Sequence, residues 1–201
     1  MKTILAAALG VTLLASAQAA PPRPGEPAPD FTARTASGET VRLSDFAGEK
    51  VVLEWTNADC PFVQKHYGSG NMQALQNRVT ADGTVWLSVV SSAPGKQGHV
   101  TGAQAQTLTA DRKAAPTHVV LDASGEVGRL YGAKTTPHMY VVDEEGTLRY
   151  AGAIDTIRST DKADVARADN YVTAAMRALR EGRAVAVPQS QPYGCSVKYA
   201  D

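Results

Sequence analysis

The chain of 201 residues is long enough for one domain with a substantial core, since domains commonly contain ~100–200 residues. Its 20 basic and 20 acidic residues cancel, so it has no excess of positive charge with which to bind nucleic acid or an anionic membrane surface. The two cysteines, Cys60 and Cys195, are too few for a disulfide-rich scaffold but enough for one redox pair.

The first nineteen residues have the pattern of a secretory signal peptide. Lys2 supplies the positive charge, an apolar stretch follows, and AQA at 17–19 is a small-residue cleavage pattern. The apolar stretch is shorter than the ~20 residues that cross a bilayer. We therefore expect cleavage near Ala20, no stable membrane insertion afterwards, and a secreted or periplasmic protein; the alternative is an uncleaved amphipathic anchor. Residues 20–29 form a Pro-rich, extended lead-in.

From residue 30 onward, strand-like and helix-like segments alternate. Residues 39–46 alternate in polarity and then offer Ser44 as the cap of a short turn. The nearly continuous apolar run VVLEWTN, residues 51–57, predicts a buried strand.

A helix is predicted to begin at Pro61, directly after this strand, with Asp59 as its cap. Proline suits the first helical position because first-turn N–H groups have no partner within the helix. The glycines of GSG, residues 68–70, predict a break before a second helix that begins at Asn71. Cys60 therefore lies at a strand-to-helix junction.

The remaining segments continue the alternation and end in a tail. Strands are expected at residues 84–92, 117–122, 138–143 and 147–152, the last two as a hairpin. Helices are expected at 101–115 and 165–182, with a short segment at 127–132 between the strands. The pattern indicates one α/β domain, residues 30–182, followed by a tail, residues 183–201, that carries Cys195.

The position of Cys60 favours a reactive thiol. A thiol attacks only as the thiolate, and the positive end of a helix stabilises that anion and lowers the thiol pKa. Asp59 would act in the opposite direction, because a neighbouring negative charge raises the pKa. The alternative is an inert, buried cysteine.

Glu54 is the second candidate, because it lies within an apolar run. A buried carboxylate must be paired, neutral or functional, since its desolvation is costly. Burial would raise its pKa and suit a proton acceptor. The alternative is a glutamate on an edge strand that faces solvent.

Three segments resemble the thioredoxin fold, in the branch of redoxins and AhpC/TSA peroxiredoxin-like proteins. VVLEWTNADCPFV, residues 51–63, resembles the strand and active-site helix of that fold. Residues 28–48 resemble its N-terminal hairpin, and TTPHMYVVDEEGTLRYAG, residues 135–152, resembles its cis-proline loop, strand and hairpin. The resemblance covers residues 26–181 and implies a thioredoxin-like α/β fold: a central mixed sheet flanked by helices, with an N-terminal β-hairpin and a C-terminal tail extension.

The resemblance also implies roles for individual residues. Cys60 takes the place of the first cysteine of a CxxC motif, and Val63 stands at the second, so no disulfide can close within the motif. Thr136 and Pro137 match the cis-proline loop, whose backbone pairs with an incoming peptide or disulfide, although an isolated proline here would be trans. Glu54 matches the buried acid that relays a proton beneath the thiol.

The chain departs from a typical peroxiredoxin, since Asn57 and Val63 stand where that family has a threonine and the peroxidatic cysteine. It is more similar to a peroxiredoxin-like subgroup with a lone cysteine at the first CxxC position. The helix motif CPFVxKHY of that subgroup is present at 60–67, and its tail motif GCSxKY at 194–199.

Three possibilities stay open for Cys195: a resolving thiol for Cys60, a static structural disulfide, or an unpaired thiol. A bond is geometrically allowed only if the two Cα atoms come within ~7 Å.

A metal site is a weaker alternative to a redox role, because copper-delivery proteins of this fold use cysteines and a distant histidine. Its candidate ligands are Cys60, His66 and His138, with Met139 as an added soft ligand.

Together these features predict an exported thiol-disulfide oxidoreductase or a peroxiredoxin-like antioxidant protein that needs no organic cofactor. Cys60 would attack a protein disulfide or a hydroperoxide, Glu54 would manage its proton, Thr136 and Pro137 would orient the partner, and Cys195 would resolve the product. Electrons would come from an exported thiol donor. The competing hypothesis is a non-catalytic binding module of the same fold, either a copper carrier or a protein whose Cys60–Cys195 bond is only structural.

Overall fold

Strands and helices alternate along residues 20–200, the part of the chain that the structure, a computed structural model, describes. The strands are β1 (Thr32–Thr35), β2 (Thr40–Arg42), β3 (Val51–Trp55), β4 (Val85–Val90), β5 (His118–Leu121), β6 (Thr135–Thr136), β7 (His138–Val142), β8 (Leu148–Gly152) and β9 (Cys195–Ser196). The α-helices are α1 (Pro61–Gly68), α2 (Asn71–Ala81), α3 (Gly102–Asp111), α4 (Glu126–Tyr131) and α5 (Tyr171–Arg180). Two 3₁₀ segments span Leu43–Phe46 and Lys162–Arg167.

Seven strands form one mixed sheet in the order β2-β1-β5-β4-β3-β7-β8. The central strands β3, β4 and β5 run parallel, whereas β7 and β8 on one side and β1 and β2 on the other pair antiparallel. Every residue of β3 and β4 is buried, as expected for parallel strands covered on both faces. The predicted central mixed sheet with flanking helices and an N-terminal hairpin is confirmed.

Alternation along β3 divides the interior into two cores. Leu53 and Trp55 face a core that also contains Tyr131 of α4. Val52 faces the opposite core, where Cys60 and Val63 pack with residues of α2 and α5. Successive strand side chains point to opposite faces, so Glu54 lies on the same face as Cys60.

Three local predictions were wrong. The last helix begins at Tyr171 and not at 165, because Asn170 caps it by accepting a hydrogen bond from the Thr173 amide at 2.8 Å. Ser44 lies within the first 3₁₀ segment and bonds Asp30 instead of capping a turn. Cys60, not Asp59, is the N-cap residue of α1.

Both ends of the described chain fold onto the domain. In the lead-in, Gly25 donates to the Leu148 carbonyl at 2.7 Å and Ala28 donates to the Gly146 carbonyl at 2.9 Å, so it lies along the β7–β8 hairpin. In the tail, β9 pairs with β6 as a separate two-stranded sheet. The predicted signal peptide, residues 1–19, lies outside the described residues. Over residues 20–200, none of the helices has the length and apolar character needed to cross a membrane.

Candidate active site

Cys60 lies where the chain leaves β3 and enters α1. Its amide donates to the Asn57 carbonyl at 3.1 Å, and its carbonyl accepts from the Gln64 amide at 2.9 Å. Proline at the next position starts the helix without losing a hydrogen bond. The Cys60 side chain is 0% exposed, so the thiol at this helix start is fully covered.

The cis-proline loop covers Cys60 from one side. The peptide bond between Thr136 and Pro137 is cis, as the resemblance implied. The Cys60 thiol donates to the Thr136 carbonyl oxygen at 3.1 Å. The structure thus places the cis-proline loop, Thr136 and Pro137, against Cys60, although more than seventy positions separate them in the sequence.

The tail covers Cys60 from the other side. β9 pairs antiparallel with β6 in a register that sets Cys195 opposite Thr136 and Ser196 opposite Thr135. Cys60 and Cys195 are both free thiols, Cys195 packs against the buried cluster that contains Cys60, and each thiol shifts the pKa of the other. The two cysteines, 135 positions apart in the sequence, thus meet at the cis-proline loop.

The two thiols differ in acidity. Burial raises the pKa of Cys60, but the neighbouring side chains of Cys195 and Thr136 and the backbone amides of Val63 and Cys195 together bring it below its ordinary value. Burial and the neighbouring Cys60 thiol raise the pKa of Cys195 to about 11. The pair therefore ionises first at Cys60, and Cys195 keeps its proton.

A glycine allows the tail to approach this closely. Gly194 has φ +136°, and a Cβ atom there would lie 2.0 Å from the Thr136 carbonyl oxygen. Such a contact is far inside van der Waals range, and the backbone conformation itself is one that L-residues rarely adopt. Glycine is thus required immediately before Cys195.

Two tyrosines anchor the tail on either side of Cys195. The Tyr193 hydroxyl donates to the buried carboxylate of Asp155, which also pairs with the fully buried Lys65 ammonium at 3.4 Å. The Tyr199 hydroxyl donates to the Ala133 carbonyl at 2.8 Å, and the Arg129 guanidinium lies 4.8 Å from its ring centroid.

Sequence reasoning did not identify the roles of Lys65, Asp155, Tyr193 or Gly194. Lys65 lies within the helix motif at 60–67, and Tyr193 directly precedes the tail motif at 194–199. Their places in or beside these motifs were the one feature of the sequence that could have identified them. Asp155 lies in a loop with no pattern that marks it.

Glu54 forms a separate buried network. Its carboxylate accepts hydrogen bonds from Ser88 at 2.9 Å, from Trp86 Nε1 at 3.0 Å and from the Tyr67 hydroxyl at 3.0 Å. Burial raises its pKa even though these donors lower it. The solvent-facing alternative is wrong, since the side chain is 0% exposed. Among the hydrogen bonds of residues 20–200, none joins Glu54 directly to Cys60.

The histidines do not assemble a metal site with Cys60. His66 is buried beside Asp155, at 3.8 Å, and burial lowers its pKa to about 4. His138 faces the opposite core, where its ring centroid lies 4.5 Å from that of Tyr140. Strand alternation separates it from Met139, which packs with Cys60. In the part of the chain that is described, no three His, Cys, Asp or Glu side chains are grouped to hold a metal ion.

Several solved structures are similar to this chain. An uncharacterized conserved protein from Geobacillus kaustophilus is 24% identical with a TM-score of 0.76, over 88% of this chain and 92% of that one. A hypothetical protein from Sinorhizobium meliloti 1021 is 23% identical with a TM-score of 0.74, and the match covers 88% of this chain and 94% of that one. A protein described as thiol:disulfide interchange protein DsbE from Chlorobium tepidum is 26% identical with a TM-score of 0.52, and the match covers 65% of this chain and 84% of that one. No protein of curated function matches.

A family model covers most of the domain. The model of the AhpC/TSA family matches residues 24–151, a span that contains β3, Cys60 and the cis-proline loop. The solved structures share the same thioredoxin-like architecture. The chain is a thioredoxin-fold redoxin and belongs to the AhpC/TSA family.

Proposed function

We propose that this protein is an exported thiol-disulfide oxidoreductase in which Cys60 is the attacking thiol and Cys195 the resolving thiol. The observation that carries the proposal is the convergence of two free thiols on the cis-proline loop: Cys195 pairs in register with Thr136, whose carbonyl accepts a hydrogen bond from the Cys60 thiol. The pKa of Cys60 is lowered there and that of Cys195 is raised. A low pKa makes the thiolate available for attack. The similarity to a protein described as a thiol:disulfide interchange protein supports the same reaction class.

The reaction proceeds by two exchanges. The Cys60 thiolate attacks one sulfur of a partner disulfide, the partner S–S bond breaks, and the other partner sulfur leaves as a thiolate and takes up a proton. Cys195, after losing its proton, attacks the Cys60 sulfur of the mixed disulfide and releases the second partner thiolate. The partner gains two electrons, and the protein is left with a Cys60–Cys195 disulfide that an exported dithiol donor reduces.

Glu54 is proposed to hold a proton near the site without touching the thiol. Its raised pKa keeps the carboxyl group protonated to a higher pH than an exposed glutamate. Two of its donors, Tyr67 and Ser88, lie in the wall of a cavity of about 50 Å³ beside α3. This cavity gives the network a place at which protons are exchanged.

A hydroperoxide is the second candidate oxidant, and membership of the AhpC/TSA family favours it. The Cys60 thiolate would attack one peroxide oxygen and become a sulfenic acid, while the other oxygen leaves as an alcohol or water. Cys195 would then attack the sulfenic acid sulfur, forming the same disulfide and releasing water.

The test is oxidation of the reduced protein with glutathione disulfide in one arm and hydrogen peroxide in the other. Peptide mapping by mass spectrometry without reduction should find a Cys60–Cys195 bond in at least one arm. Cys195→Ser should stop at a mixed disulfide or a sulfenic acid on Cys60, and Cys60→Ser should remain unmodified. If wild type forms no such bond with either oxidant, the oxidoreductase proposal fails.

Whether the bond is catalytic or only structural depends on its reduction potential. A structural disulfide has a potential below about −300 mV, whereas catalytic disulfides lie higher. We expect equilibration with glutathione buffers to place this bond in the higher range. A bond that stays closed in strongly reducing buffer would favour the structural alternative.

Export is proposed from the signal-peptide pattern of residues 1–19. Expression of the full chain in a bacterium, followed by fractionation and N-terminal sequencing, should recover a protein that begins near Ala20 outside the cytoplasm. Recovery of the uncleaved chain in the cytoplasm would contradict export.

A further inference from the structure

The tail segment from residue 193 to residue 199, here called the strap, occupies the place at which a partner would pair with the cis-proline loop. β6 pairs with β9 of the same chain, and Val197 extends the pairing by donating to the Lys134 carbonyl at 3.1 Å. An extended peptide that adds to a sheet edge uses the same backbone groups. The strap and such a peptide therefore exclude each other.

Cys195 lies where the cysteine of such a partner would lie. Cys195 packs against the buried cluster that contains Cys60, and its backbone is in register with Thr136, whose carbonyl oxygen accepts a hydrogen bond from the Cys60 thiol. With the strap in place the Cys60 side chain is 0% exposed. A protein substrate can thus reach Cys60 only when the strap has left.

The close approach of Gly194 to β6 restricts which residue can precede the cysteine in any segment that pairs with β6 in this register. The atom that a Cβ at residue 194 would meet is the Thr136 carbonyl oxygen, at 2.0 Å, which belongs to the binding edge itself. A partner strand in the same register would meet the same oxygen. It therefore needs glycine immediately before its cysteine.

The Tyr193 side chain fills a second, specific subsite. Its ring lies edge-on to Phe62 with centroids 5.7 Å apart, and the Lys65 ammonium lies 5.9 Å from the ring centroid. Its hydroxyl reaches the buried carboxylate of Asp155. Tyr193 is 5% exposed, so this subsite encloses an aromatic side chain with a hydroxyl at its tip.

We propose that the strap is an internal pseudo-substrate, and that the site it fills accepts extended protein segments in which a tyrosine and a glycine precede the reactive cysteine. This inference rests on the proposed function and specifies its substrate class. Cys60 attacks the disulfide of the segment when the strap is undocked, and a mixed disulfide forms as the other half leaves as a thiolate. When the strap docks again, Cys195 attacks the Cys60 sulfur and the segment leaves as a thiolate. The docked strap then pairs with the β6 backbone groups that the segment had used.

The test uses the full chain with Cys195→Ser, which cannot resolve a mixed disulfide. The probes are two synthetic peptides, acetyl-YGCSVKY-amide and its Gly→Ala counterpart, each supplied as a disulfide with thionitrobenzoate; glutathione disulfide is the control oxidant. Formation of the Cys60–peptide disulfide is followed by mass spectrometry. We expect the glycine peptide to react at least tenfold faster than the alanine peptide.

Competition with the strap gives the second measurement. A tethered segment has an effective concentration in the millimolar range, so undocking it should speed the reaction of the free peptide. We expect Gly194→Ala combined with Cys195→Ser to react with the glycine peptide at least tenfold faster than Cys195→Ser alone. Gly83→Ala combined with Cys195→Ser is the matched control, because Gly83 also has positive φ, and a Cβ atom there would meet no atom of residues 20–200 within 4 Å.

The outcomes separate this inference from the proposed function. If Cys60 reacts with glutathione disulfide but the two peptides react equally fast, the pseudo-substrate inference is overturned and the oxidoreductase proposal stands. If undocking the strap leaves the peptide rate unchanged, the inference is also overturned. If Cys60 reacts with no disulfide at all in the undocked variant, both the pseudo-substrate inference and the thiol-disulfide reaction proposed above fail.

Discussion

Gly194→Ala should undock the strap and expose Cys60 without altering any side chain of the dithiol pair. The new Cβ would lie 2.0 Å from the Thr136 carbonyl oxygen, whereas real Cβ contacts essentially never fall below 3.0 Å. The strap must therefore retreat by about 1 Å, which breaks its backbone pairing with β6. At about 1 kcal/mol for each of roughly two lost hydrogen bonds, docking weakens by about 2 kcal/mol, or roughly 30-fold at 1.4 kcal/mol per factor of ten.

The assay is the rate at which iodoacetamide alkylates Cys60, measured by peptide mapping so that Cys195 is counted separately. The two proteins are compared at a pH above the pKa of Cys60 in each, because undocking also removes the hydrogen bonds that lower that pKa. We expect alkylation of Cys60 to be roughly 30-fold faster in the variant, since each 1.4 kcal/mol changes the undocked population about tenfold. Gly83→Ala should match wild type. An alkylation rate in Gly194→Ala no faster than in this control would refute the docking argument.

Three further predictions concern the pair and its surroundings. Cys195→Ala should raise the pKa of Cys60, because the Cys195 side chain is the foremost of the neighbours that lower it; ultraviolet thiolate absorbance against pH measures the shift. Tyr193→Phe should lower the free energy of unfolding by about 1 kcal/mol, since the hydroxyl bond to Asp155 is lost and the ring is kept; urea denaturation measures it. Glu54→Gln should flatten the pH dependence of stability, because burial raises the pKa of Glu54 above 4.5, so the folded state holds a proton that the unfolded state has released. The free energy of unfolding of wild type should accordingly fall as pH rises from 4.5 through the folded pKa, and that of the variant should not.

Each of these has an outcome that contradicts it. An unchanged Cys60 titration in Cys195→Ala would mean that the backbone amides of Val63 and Cys195 suffice to stabilise the thiolate. A larger loss of stability in Tyr193→Phe than in Tyr193→Ala would be inconsistent with a hydroxyl contribution alone. Parallel pH profiles for wild type and Glu54→Gln would show that Glu54 does not titrate in that window.

Much of the fold could be predicted because its signals are local. The apolar run of β3, the proline at the start of α1 and the glycine break before α2 are short-range patterns, and each marks an element within a few residues. The end of the chain was harder to predict, since the apolar spacing from residue 165 continues into α5 and hides the cap at Asn170. The cap is decided by one hydrogen bond, which periodicity does not record.

The site could be predicted only in part. The place of Glu54 in an apolar run left both a buried and a solvent-facing side chain open, and the structure shows it buried. The position of the cis-proline loop beside Cys60 followed from the resemblance. The weaker alternative, in which His138 joins Cys60 at a metal site, is wrong because a two-residue period sends neighbouring side chains of β7 to opposite faces.

The sequence by itself determined the alternating α/β order, the strand-to-helix position of Cys60 and the absence of a second cysteine within its motif. These properties depend on side-chain size, polarity and spacing over a few residues. Only the tertiary structure decided where the second cysteine lies relative to Cys60. Cys195 meets Cys60 because Gly194 lets the backbone pass the Thr136 carbonyl and because Tyr193 binds a carboxylate already paired with a buried lysine. Those contacts join segments far apart in the chain, so no local pattern records them.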